Sequence, residues 1–138
     1  MKLPEKCEAF TRQRDRLAAG TPGRGRALSH RIAERISSAR TRVRIATPLV
    51  TAGPILAALN EAIAEERVDI AGVCDATQTR QVFRQWSRNP RSEWKAPLLV
   101  GALEAFSGKP STPYEAGSVH DFMHAKVTVA DDVVFLGS

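Results

Sequence analysis

Apolar and polar positions along the chain fall into alternating helical and strand patterns. Leu28, Ile32 and Ile36 recur four apart over residues 27–39, a narrow apolar stripe on an otherwise arginine-rich helix. Residues 41–50, TRVRIATPLV, then place Val43 and Ile45 between Arg42 and Arg44 and run into a Pro. That is a strand whose arginines mark its polar face, leading into a loop. Gly53-Pro54 opens a second helix, because Pro is tolerated in the first turn, and Ile55, Leu56, Leu59 and Ile63 form its buried face to about Arg67. A second strand, VDIAGVC, covers residues 68–74. Asp75 and Thr77 are candidate caps for the helix TQTRQVFRQWSRN, which carries Val82, Phe83 and Trp86 to one side and must end before Pro90.

Strand, helix, strand, helix in this order is the signature of crossover units on a mostly parallel sheet. The pattern predicts an α/β fold. Residues 97–103, PLLVGAL, form a third short apolar segment that suits strand or helix equally, and residues 107–118, SGKPSTPYEAGS, read as a loop.

Residues 123–130 alternate, with His124, Lys126 and Thr128 on one face and Ala125, Val127 and Val129 on the other. This predicts a strand with one apolar side, on which His124 and Lys126 lie roughly 6 to 7 Å apart and converge on a single anionic group. Asp131-Asp132 marks a tight turn and residues 133–136 return as a second strand. Register decides what joins the pair. Ser138 sits opposite Lys126 only if the loop has three residues, Asp131 to Val133; a two-residue loop puts Gly137 there instead. A functional role for Ser138 therefore requires the longer loop or a bulge.

Composition narrows the setting. With 138 residues the chain is long enough for one core, and its two cysteines, Cys7 and Cys74, suit neither a disulfide scaffold nor a zinc site. Charges interrupt the N-terminus, MKLPEKCEAFTRQRDRLAAG, every few residues, which excludes a signal-peptide core, and no apolar run reaches membrane-spanning length. These features predict a cytoplasmic protein with reduced thiols and no transmembrane segment. Its charge of +5 is uneven: residues 1–44 hold 12 Lys and Arg against 4 Asp and Glu, while residues 45–138 hold 8 against 11. A basic first third favours a polyanionic partner, although solvated helix faces would give the same composition.

His124, one residue, Lys126, four residues, Asp131, and then Gly137-Ser138 resemble the HKD motif of the phospholipase D superfamily. Five residues separate Asp131 from Gly137 here, one fewer than the family has, so the resemblance implies a hairpin shortened by one. The family pattern also continues past Gly-Ser to an Asn, where this sequence stops at Ser138. The implied fold is an α/β/α sandwich with a mixed, mostly parallel sheet ending in a β-hairpin. Residues 1–26 form a basic helical segment and linker, and residues 27–138 one HKD half, incomplete at its C-terminus.

The resemblance further implies a phosphodiesterase that needs no metal or other cofactor, acting on phospholipid or nucleic acid. His124 is then the nucleophile that forms a phosphohistidine, or the acid that protonates the leaving oxygen. Lys126 neutralises phosphate oxygens, Ser138 with Gly137 binds the phosphate, and Asp131 orients the hairpin. The chemistry uses two histidines from two motifs, so a homodimer or a second half of a longer chain would supply the other. The rival is a non-catalytic or incomplete module that binds nucleic acid or a partner through its arginine-rich helices.

Other candidates have simpler readings. His120, Asp121 and His124 lack the helical spacing that would gather them on a metal, Lys109 and Tyr114 are loop residues, and Trp86 and Trp94 are packing residues.

Overall fold

The arginine-rich stretch is helical from Arg24 to Ser38 (α1) in a computed structural model of the chain, which describes residues 24–112, 116, 117, 119 and 123–137. The helix starts three residues before the expected boundary, inside the stretch read as a linker; the basic segment before it lies outside the described residues. Ile36 is fully buried and Ala33 nearly so, while Arg31 and Arg35 are exposed. Strand β1 is Arg42–Ala46, with Val43 and Ile45 buried. Helix α2, Gly53–Glu65, opens at Gly53-Pro54 as expected; its C-cap residue Glu66 takes a left-handed φ of 51° and donates its N–H to the Ile63 carbonyl.

Strand β2 is Asp69–Asp75, and its last residue caps α3, Ala76–Ser87: the Asp75 carboxylate accepts from the Gln78 N–H at 2.9 Å. The ambiguous apolar segment resolves as a helix, α4, Lys95–Leu103. Leu98, Leu99 and Ala102 are buried against α2, and Asn60 Nδ2 joins the two helices by donating to the Leu56 and Leu98 carbonyls.

One expectation fails next. Residues 107–109, read as loop, belong to strand β3, Phe106–Lys109, which pairs in parallel with β2. The pairing occupies the outer edge of β2, and Gly72 opposite Phe106 makes room for its ring. A Cβ at Gly72 would lie 2.7 Å from Phe106 Cε2. Tertiary pairing has overridden the turn-forming composition of SGK.

Strands β4, Val127–Ala130, and β5, Val133–Leu136, complete a five-stranded sheet of order β3-β2-β1-β4-β5. β1 is parallel to β2 and β2 to β3, whereas β4 runs antiparallel to both β1 and β5. The molecule is thus an α/β fold with a mixed sheet that ends in a hairpin. Both crossovers step the same way across the sheet, which places their helices on one face. There α1, α2 and α4 share a core with Val43, Ile45 and Ala130.

The opposite face carries Ala46, Ala71, Val73, Val127, Val129, Val134 and Leu136 by strand parity. No described helix covers it, and Val134 and Leu136 are 55% and 76% exposed. The apolar side of the 123–130 pattern therefore faces away from the described core, with Thr128 turned toward the helices beside Ile45.

Candidate active site

The switch in sheet direction between β1 and β4 sets where the chemistry gathers. β1 leaves the sheet at the edge where β4 enters it and β5 ends. Helix α2 begins at that edge too, its first N–H groups at the positive end of the helix dipole. Ligands of α/β folds collect at such an edge, outside the carboxyl ends of the parallel strands. A cleft of about 210 Å³ opens there, lined among others by Thr47, Thr51, Ile55, Lys126 and Gly137. Pattern reading did not single out Thr47 or Thr51; the sole signal was Gly53-Pro54, which announces a helix start just after a strand.

His124 and Lys126 stand together at this edge. Both precede the strand, since β4 starts at Val127 and not at residue 123 as the alternation suggested. The correction follows from β1, whose last paired residue is Ala46 opposite Val127, leaving the preceding residues no partner on that side. Convergence survives the loss of strand structure: Lys126 Nζ lies 2.9 Å from His124 Nε2. An ammonium has no lone pair, so Nζ is the donor and Nε2 the acceptor. That bond selects the imidazole form with its lone pair on Nε2 and its proton on Nδ1, the form able to attack an electrophile. Lys126 Nζ also reaches the His124 carbonyl at 3.4 Å, which folds the segment back on itself.

The hairpin adopts the shorter of the two registers. Ala130 pairs with Val133 and Val127 with Leu136, so the loop is Asp131-Asp132 and the three-residue loop required for a role of Ser138 is absent. Asp131 takes the left-handed conformation, φ 51°, which Asp tolerates better than most residues. Its carboxylate repays the strain by fixing the strand next door: it accepts from the Arg40, Thr41 and Arg42 N–H groups at 2.9, 2.8 and 3.1 Å and from the Thr41 hydroxyl at 2.7 Å. Those donors hold the carboxyl far below the usual carboxylate range. Asp131 therefore sits at the opposite end of β4 from Lys126 and ties the hairpin to the start of β1.

The same register gives Gly137 a mechanical role. Its N–H donates to the Lys126 carbonyl at 2.8 Å, and a Cβ on it would come within 3.1 Å of Lys126 Cβ. The absence of a side chain lets the chain pass close under Lys126. Ser138, His120, Asp121 and Tyr114 lie outside the described residues. Lys109 is on β3, beyond β2 and β1 from the hairpin, and is not brought to the pair. Arg44 pairs with Asp69 on the open face and donates to its carbonyl at 2.9 Å.

The tryptophans have a packing role, as expected, with one addition. Lys95 Nζ lies 5.2 Å from the Trp86 ring centre and 5.5 Å from that of Trp94, and it donates to the Thr51 carbonyl at 3.2 Å. The clamp anchors the loop that forms one wall of the cleft.

No described helix is long and apolar enough to cross a membrane. No curated protein matches the chain significantly. A family model described as cardiolipin synthase, PLD-like domain, matches residues 32–138, which spans β1 through β5 and both residues of the His–Lys pair. The chain belongs to this PLD-like domain family of the phospholipase D superfamily.

Proposed function

We propose that the protein is a metal-independent phosphodiesterase of the HKD type, with His124 as nucleophile and Lys126 as the cation that receives the phosphate. The observation that carries this reading is the Lys126 Nζ to His124 Nε2 contact of 2.9 Å, which supports a lone pair on the attacking nitrogen. As a phosphodiester enters, its non-bridging oxygens draw the ammonium from Nε2 and free that lone pair at the moment the charge is neutralised. Nε2 then bonds to phosphorus while the bond to the leaving alkoxide breaks, and a second histidine protonates that alkoxide. Water takes the phosphoryl group from His124 in the second step, giving its proton to the same second histidine.

A second copy of the chain supplies that histidine. The carboxyl edge of the sheet, with the start of α2 and Lys126 on one cleft, suits a phosphoryl group of either a phospholipid or a nucleic acid. The exposed Arg31 and Arg35 on α1 favour the second class. They also support the rival reading, a binding module without turnover.

One experiment separates the two. Hydrolysis of bis(p-nitrophenyl) phosphate is followed in excess chelator, beside native mass spectrometry of the same sample. A dimer that turns over in chelator and stops in His124→Ala supports the enzyme; a monomer without activity leaves the binding module.

A further inference from the structure

The acidic two-thirds of the chain contains one strongly basic element. Residues 45–138 hold 8 Lys and Arg, and half of these, Arg80, Arg84, Arg88 and Arg91, fall on α3 and the turn after it. No Asp or Glu occurs from Ala76 to Ser92. Arg80, Arg84 and Arg88 stand four apart, so they form a ridge along the helix with a repeat of about 6 Å. All three are exposed, whereas Thr79 is buried and Val82 and Trp86 are half-buried on the opposite side. None of the four arginines forms an ion pair with a described carboxylate.

Helix stability does not explain the ridge. Positive charge at the C-terminus of α3 suits the helix dipole, which accounts for Arg84 and Arg88 but not for Arg80, a turn further in. Like charges four apart repel, so the row of three works against the helix that carries it. What it does suit is a linear polyanion with a regular repeat of its own, because each guanidinium can meet a phosphate with two N–H donors. A membrane spreads its charge over a plane, and the apolar side of α3, with Trp86, is packed on the core and not free to enter lipid. A nucleic-acid strand lines its phosphates up in a row. Phe83, 37% exposed, borders the ridge beside Arg80 and offers its ring to an unpaired base, and Gln81 and Gln85 offer amides on the other flank.

We infer that the ridge of α3 binds single-stranded nucleic acid, with backbone phosphates on Arg80, Arg84 and Arg88 and a base on Phe83. Helix α3 packs on α4, β2 and β3, whereas α1 packs on α2, so the ridge is separate from the exposed arginines of α1. It binds whether or not the His–Lys pair turns over substrate.

Fluorescence anisotropy of a labelled oligothymidylate titrated with the full chain, between about 50 and 200 mM salt, tests the assignment. Saturable binding is expected, tighter than for a duplex of the same length. Changing Arg80, Arg84 and Arg88 together to Gln should weaken it at least tenfold and flatten the slope of log affinity against log salt by about 2, since each lost phosphate contact on a single strand removes about 0.7. Arg84→Glu places a carboxylate four residues from both neighbours, so it should raise Tm while weakening binding further than Arg84→Gln does, which separates the surface from the fold. His124→Ala binds as the parent does, and Arg31→Gln with Arg35→Gln keeps most of the affinity. Absence of saturable binding, an unchanged salt slope in the triple variant, loss of binding from the α1 variant instead, or duplex bound as tightly as single strand would each overturn the assignment. So would phosphatidylglycerol vesicles that bind through the same three arginines while the oligonucleotide does not.

Discussion

Lys126 serves His124 only because both side chains leave the chain on one side, two residues apart, before β4 begins. If the proposed mechanism holds, Lys126→Ala removes the charge that meets the phosphate but leaves the nucleophile, so kcat for a phosphodiester should fall by about 10²- to 10³-fold with less change in KM. An equal rise in KM at unchanged kcat would instead assign Lys126 to ground-state binding alone. Asp131 is testable on different grounds. Its folded-state carboxyl is held below the unfolded value of about 3.9, so its contribution to stability is complete above that pH and is lost as pH falls toward the folded value. Asp131→Asn should lower Tm at neutral pH and flatten the loss of stability between about pH 4 and pH 2. Acid melting curves parallel to the parent's would show that the carboxylate does not anchor β1.

Among the elements, α1, α2 and the first two strands were legible because each carries one strong period and its own punctuation. Leu28, Ile32 and Ile36 mark a helix, Gly53-Pro54 starts one, and Asp75 caps another as its residue type predicts. Three features were not legible, each for a reason outside local sequence. Helix α4 is apolar on most sides because it lies between α2 and α3, so its pattern matches strand and helix equally. β3 exists because β2 offers it an edge. The hairpin register turned on whether Asp131 would accept a left-handed backbone, and the three N–H groups of residues 40–42 that reward it are some ninety positions away. The His–Lys pair was legible from spacing, its tautomer was not. Two predictions belong to this scale. Asp75→Ala removes the cap of α3 and strands the Ser111 hydroxyl, which donates to it at 2.9 Å, and should cost about 1 to 2 kcal/mol in urea denaturation. Gly137→Val should displace Lys126 and reduce activity about as much as Lys126→Ala does, while circular dichroism stays unchanged.

For the whole molecule, the sheet divides two environments. One face buries Val43, Ile45 and Ala130 under helices, and the other presents Val73, Val134 and Leu136 beside the Arg44–Asp69 pair. The His–Lys pair sits at the end of the sheet between them, where strand direction changes, and the excess of positive charge lies in residues 1–44. If that charge guides a nucleic-acid substrate, the apparent affinity for a single-stranded oligonucleotide should fall steeply between 50 and 200 mM salt; a flat response would return the choice to phospholipid. The central claim is covalent catalysis by His124. Rapid quenching of the reaction with bis(p-nitrophenyl) phosphate, followed by peptide mass spectrometry under alkaline conditions, tests it most directly. A p-nitrophenylphosphoryl group on His124 that forms and decays at the turnover rate is predicted, and turnover with that residue unmodified throughout would contradict it.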